Sequence, residues 1–212
     1  QSLKVWAELG FSFDVVSTGM ILSAEQAALV SDFCEQSAKK GALVFVDPIM
    51  GDEGKLYNGV GEETIAHMRK MVAVADCIVP NYTEAAYLAD VPYHEDMTEE
   101  EACALTIRLH EMGAKSVVVT SAKVDGENCV VGYDGTEGEF FRIPFDLIPV
   151  RFVGTGDIFA AVMLGRLVDG VPLQESTHRA MDAVRTMIDR NRDKEDKYLG
   201  IPIETCLEVL DE

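Results

Sequence analysis

The stretch Val150-Arg151-Phe152-Val153-Gly154-Thr155-Gly156-Asp157-Ile158-Phe159-Ala160-Ala161-Val162 organises the reading of the chain. Val150 to Val153 predicts a short apolar strand, Gly154 to Gly156 a turn, and the residues from Ile158 the first turns of a buried helix. Two glycines let the backbone turn sharply with its N–H groups pointing one way, and the helix adds the positive end of its dipole. Such a turn is suited to an anion, phosphate above all. Asp157 has two readings: it complements the helix dipole, or it stands beside the bound phosphate as the base that deprotonates an attacking hydroxyl.

Upstream of this stretch, strand and helix patterns alternate. An amphipathic helix from Ser2 to Leu9 precedes a strand from Phe13 to Ser17. Ser23, followed by Glu25 and Gln26, opens a helix that runs to Lys40 and stops at Gly41. Leu43 to Val46 is a continuous apolar run, the pattern of a parallel strand covered on both faces. The order then repeats: helix Glu62 to Val74, strand Cys77 to Val79, helices Thr83 to Ala89 and Glu99 to Met112, strand Val117 to Thr120. This alternation predicts a doubly wound α/β sheet in a single domain over residues 1–212. Asn128 to Ile143 predicts a hairpin around Asp134-Gly135-Thr136, beside the nucleotide site, and a helix from Leu173 to Asn191 and an amphipathic helix near Ile203 to Leu210 close the chain.

Ligands of open α/β sheets sit beyond the carboxyl ends of the strands, so the polar residues there are the candidates. Asp47-Pro48-Ile49-Met50-Gly51-Asp52 places two carboxylates on one loop, either as solvated turn acids or as a site for hydrated Mg²⁺ against a triphosphate. Asn81-Tyr82-Thr83-Glu84 is close to a helix capping box, with Asn81 as cap and Glu84 at the third position. Thr120 and Ser121 offer hydroxyls at a strand end, for a nucleotide phosphate or to cap a turn. His67, His94, His110 and His178 show no ligand pair at metal spacing, are expected on surfaces and take no role.

The formal net charge of −19 excludes general attraction to nucleic acid or anionic membranes, which need a basic footprint. Any phosphate must be held locally, by backbone N–H groups and a metal ion. Five dispersed cysteines without Cys-x-x-Cys spacing read as reduced thiols. With every apolar run shorter than a membrane span and no basic-then-apolar leader, the expectation is a soluble, cytoplasmic protein.

Gly-Thr-Gly-Asp before a small-residue apolar helix resembles the anion-hole and catalytic-base motif of the ribokinase-like superfamily of small-molecule kinases, and no Walker A pattern occurs in the chain. The run from Asp47 through Gly54-Lys55-Leu56-Tyr57, the Asn81-x-x-Glu84 motif and Leu9-Gly10-Phe11-Ser12-Phe13-Asp14-Val15-Val16-Ser17-Thr18-Gly19 stand in the order found in bacterial pyridoxal kinases, and the chain resembles that family over nearly its whole length. The resemblance implies a three-layer α/β/α fold with a mostly parallel sheet, and transfer of the γ-phosphoryl of ATP to the 5′-hydroxyl of pyridoxal, pyridoxine or pyridoxamine in vitamin B6 salvage. It implies Asp157 as base, Gly154, Thr155 and Gly156 as anion hole, and Asp47, Asp52 and Glu84 on the metal side with Mg²⁺ and often K⁺. It further implies Asn81, Thr120, Ser121 and Asp47 at the nucleotide, Tyr57 and Met20 beside the substrate, and a homodimer.

Two departures bear on these expectations. Met20 stands where the family commonly has tyrosine, so a wall of the substrate pocket differs. The family's first strands have no counterpart, and the working protein is expected to carry two or more further strands at its N-terminus. A hydroxymethylpyrimidine or sugar kinase of the same superfamily, and a nucleotide-binding module without catalysis, are the alternative readings.

Overall fold

Residues 2–210 are described here, from a computed structural model. The chain divides into two compact units, Gln1–Pro144 and Phe145–Glu212.

The first unit opens with α1 (Ser2–Glu8) and β1 (Val15–Thr18), and α2 (Ala24–Ala38) follows. Ser23 caps α2 by accepting from the Gln26 N–H at 3.1 Å. Then come β2 (Leu43–Val46), a two-stranded ribbon of β3 (Gly51–Asp52) and β4 (Lys55–Leu56), α3 (Glu62–Val72), β5 (Cys77–Ile78), α4 (Tyr82–Ala89) and α5 (Glu99–Glu111). Acids in the first turn and bases in the last turn of both α3 and α5 complement their dipoles. Three longer strands complete the unit: β6 (Ser116–Val124), β7 (Glu127–Asp134) and β8 (Glu139–Pro144).

The main sheet has the order β1-β2-β5-β6-β7-β8, parallel from β1 to β6 and antiparallel from β6 to β8. The apolar run of β2 behaves as its pattern requires. Val44 and Val46 join the core cluster with Ile78, Val117 and Val119, while the alternating Phe45, Cys77 and Val118 are equally buried on the opposite face. The expected alternation of strand and helix is therefore present, on a sheet that is mostly parallel.

The expected strand from Val117 to Thr120 is longer, running on to Val124 with a register shift between Val119 and Ala122. Ser121, at φ 55°, lies in that irregularity, so Thr120 and Ser121 stand inside a bulged strand rather than at its end. The turn beyond is Asp125-Gly126, both with positive φ, which returns the chain as β7. The hairpin expected around Asp134-Gly135-Thr136 is β7–β8, with the Asp134 carboxylate accepting from the Thr136 N–H at 2.9 Å. His67 corrects another expectation: it is 4% exposed, on the inner face of α3.

The second unit contains α6 (Thr155–Val168) and α7 (Leu173–Asn191), packed on each other. Phe152, Ile158, Ala183, Met187, Ile201, Cys206 and Val209 form its core. Val150 to Val153 is not a strand here. Pro149 has no N–H to give a ladder, the Val150 N–H turns back to Ile148 O at 2.7 Å, and only Phe152 of the run is buried apart from the half-buried Val150. The helix expected near Ile203 to Leu210 is two short 3₁₀ turns, Ile203–Thr205 and Leu207–Leu210, interrupted at Cys206, whose φ of −131° is outside the helical region. Among the described residues no helix is long and apolar enough to cross a membrane.

Candidate active site

The loop after β2 and the start of α4 form one hydrogen-bonded assembly. Asn81 caps α4 by accepting from the Glu84 N–H at 3.0 Å, and Glu84 returns its carboxylate to the Asn81 N–H at 2.9 Å. The same carboxylate accepts from the Met50 N–H at 2.9 Å, and the Asn81 side chain donates to Gly51 O at 2.8 Å. Glu84 thus does the capping expected of it and holds the loop that carries Asp47 and Asp52 as well. The Thr120 N–H donates to Pro80 O at 2.9 Å and Thr120 bridges Asn81, which brings two of the expected nucleotide-side residues together.

Glu84 is 3% exposed, and burial pushes its carboxyl up to about 7, against three backbone N–H groups that favour the charged form; Asp47 adds to the rise. Asp47 and Asp52 are half-buried. Among the described residues no three His, Cys, Asp or Glu side chains converge as a metal cage. Asp47 and Glu84, near enough for the Asp47 charge to act on Glu84, still suit a cation that keeps most of its water and takes its remaining ligands from phosphate, as Mg²⁺ does. Met20 and Tyr57 are both exposed.

Two residues without an expected role at the site, Thr83 and Tyr93, join this assembly. Thr83 accepts from the Gly54 N–H at 2.8 Å, and the Tyr93 ring lies against Gly54 so closely that a Cβ there would stand 2.9 Å from it. The only sequence signal for them is Gly54 itself, which sits at φ 75° after Glu53 at φ 52°.

In the second unit, Gly154 at φ 84° turns the chain into α6, and the ladder begins with the Ile158 N–H on Gly154 O at 3.1 Å. The N–H groups of Thr155, Gly156 and Asp157 therefore lie at the helix mouth, outside the α-helical ladder. A Cβ placed on Gly156 would meet nothing within 4 Å outside the backbone of its own helix, so the flank of the first turn is open at Gly156. Asp157 is exposed in this first turn, and its Oδ2 lies 3.7 Å from the Cβ position of Gly154. Val153, Gly154, Asp157, Ile158, Ala161, Gly200, Ile201 and Ile203 line an open, mostly apolar cavity of about 410 Å³. The arrangement offers N–H donors for an anion and an acid beside them.

The sequence pattern of the family described as phosphomethylpyrimidine kinase matches residues 5–200. The chain belongs to that family. It is 33% identical over 171 residues to a pyridoxal kinase of Arabidopsis thaliana, a stretch covering 77% of this chain and 53% of that protein. A Bacteroides thetaiotaomicron structure bearing the phosphomethylpyrimidine kinase name superposes with a TM-score of 0.95 at 32% identity, covering 100% of this chain and 74% of that one. Pyridoxal kinase from Lactobacillus plantarum superposes with a TM-score of 0.85 at 27% identity, covering 100% and 76%. The resemblance to pyridoxal kinases and the ribokinase-like α/β fold are thereby borne out. The chain spans about half the length of the curated relatives it matches.

Proposed function

We propose that this chain is the catalytic part of an ATP-dependent kinase that phosphorylates the 5′-hydroxyl of pyridoxal, pyridoxine or pyridoxamine. The observation that carries the reading is Asp157 in the first turn of α6, beside the N–H groups at the helix mouth and on the wall of a cavity of about 410 Å³. The pyridoxal kinases among its relatives support it, as does a second crystal form of the Bacteroides thetaiotaomicron protein, described as containing pyridoxal, at a TM-score of 0.93 and 32% identity.

In the proposed reaction, the N–H groups of Thr155, Gly156 and Asp157 bind the γ-phosphoryl oxygens as charge develops on them. Asp157 accepts the proton of the 5′-hydroxyl as the new O–P bond forms and the bond from the γ-phosphorus to the bridging oxygen breaks, releasing ADP. Phosphoryl transfer is mostly positioning and charge neutralisation around a loose transition state, so the proton moves late. Asp47 and Glu84, with Asp52 on the same loop, would hold Mg²⁺ through water, and the ion supplies neutralisation of phosphate charge. Asn81, Thr120 and Ser121 face the nucleotide in this reading, and Met20 and Tyr57 the substrate.

The setting proposed is one kinase domain over residues 1–212, in a cytoplasmic homodimer that serves vitamin B6 salvage and uses K⁺ besides Mg²⁺. A second acceptor has its own support: the family is described by phosphomethylpyrimidine, which favours hydroxymethylpyrimidine. ATP consumption by the intact protein, compared with pyridoxal, hydroxymethylpyrimidine and ribose as acceptors, tests the reading. Turnover highest with pyridoxal supports it, and consumption with no acceptor refutes it.

A further inference from the structure

The ribbon β3–β4 carries Asp52 and Lys55 as directly opposed residues, and two strands of two residues each do not hold their shape alone in water. Its turn is also strained. Glu53, which has a side chain, sits at φ 52°, a conformation disfavoured by about 1 kcal/mol, and Gly51 lies so near Lys55 that a Cβ there would come within 2.3 Å of Lys55 O. Something outside the ribbon must fix it.

The root of the ribbon is fixed by Glu84 and Asn81. Its tip is fixed by the Gly54 N–H donating to Thr83 Oγ1 at 2.8 Å, and by the ring of Tyr93 beneath Gly54. Tyr93 is in turn held by stacking on Tyr82 at 4.9 Å between ring centroids, and the Tyr82 hydroxyl accepts from the His94 N–H at 3.2 Å. Thr83 is buried between Tyr82 and Glu84 in the first turn of α4. One turn of helix therefore sets both ends of the acidic loop.

We propose that Thr83 and Tyr93 are positioning residues that fix Asp52 and its loop for Mg²⁺ and nucleotide, an inference that rests on the kinase reading above. Losing the Thr83 hydroxyl frees the tip while Glu84 keeps the root in place. The loop then samples other arrangements, and binding of the metal and nucleotide must first restore the one seen here.

The test compares Thr83→Val, which keeps the shape and removes the acceptor, with Thr83→Ser, which keeps the hydroxyl. Two quantities are read in the intact protein: the exchange rate of the Gly54 amide, and the Mg²⁺ concentration needed for half-maximal binding of the non-hydrolysable analogue AMP-PNP. Thr83→Val is expected to raise each by about fivefold, the weight of one ordinary hydrogen bond, and Thr83→Ser to restore both. Tyr93→Phe, which retains the ring, is expected to match wild type, and Tyr93→Ala to behave as Thr83→Val. Gly54 exchange unchanged in Thr83→Val overturns the proposal, as does faster exchange with an unchanged Mg²⁺ requirement. Wild-type protein that binds Mg²⁺ and AMP-PNP but phosphorylates no acceptor refutes the kinase reading alone.

Discussion

The Glu84 carboxylate accepts the N–H of Met50 at 2.9 Å across 34 residues of sequence, while its second oxygen caps its own helix through Asn81. A single buried acid thereby joins the first turn of α4 to the loop after β2. The cost of that burial appears in its proton affinity, pushed up to about 7.

A raised carboxyl pKa means that the folded chain binds this proton more tightly than the unfolded chain, so stability falls as pH rises from about 4.5 to about 7 and is level above. At 1.36 kcal/mol per unit the fall attributable to Glu84 is up to about 3 kcal/mol. Glu84→Gln should remove this part of the slope, while one of its N–H partners loses an acceptor, which lowers stability at pH 5 by about 1 kcal/mol. Urea midpoints at pH 5, 6, 7 and 8 check this. A Glu84→Gln protein with the wild-type slope contradicts the assignment.

Asn81 has two jobs in the structure, capping α4 and donating to Gly51 O at 2.8 Å. Asn81→Ala ends both and should lower unfolding stability by about 1–2 kcal/mol. The midpoint in urea should drop with an unchanged m-value. A loss below about 0.5 kcal/mol, the range of ordinary surface changes, contradicts the account.

Much of this site was legible because its residues follow strand ends. Asn81 and Glu84 announce a capping box by spacing, and the apolar run of β2 announces a strand buried on both faces. Thr83 was not legible, since its partner is a backbone N–H 29 residues away and no local pattern encodes that pairing. The extent of β6 was hidden by Ser121, whose positive φ belongs to a bulge, although Asp125-Gly126 is a strong hairpin signal. The stretch before Gly154 has strand-like composition but Pro149 and the turn at Ile148 keep it irregular, since a strand needs a partner as well as apolar residues.

The two glycines of the turn should respond differently to alanine. Gly154 sits at φ 84°, so Gly154→Ala should cost about 1 kcal/mol through backbone strain, with no clash closer than 3.7 Å. Gly156 is helical and open, so Gly156→Ala should leave stability within about 0.5 kcal/mol. Its methyl would stand in the space proposed for phosphate, and affinity for AMP-PNP should fall. Equal binding by wild type and Gly156→Ala, measured by calorimetry, argues against the anion hole.

The most direct measurement of the proposed mechanism is the turnover of Asp157→Asn with saturating ATP and pyridoxal. Asparagine keeps the shape and most of the hydrogen bonding and removes the proton acceptor, together with a first-turn charge worth only about 0.3–1 kcal/mol of stability. The account predicts a fall of roughly 10²-fold or more in turnover, with nucleotide affinity and unfolding midpoint little changed. Turnover within about threefold of wild type, well short of the general-base range, would show that Asp157 only complements the dipole of α6, and would contradict the mechanism.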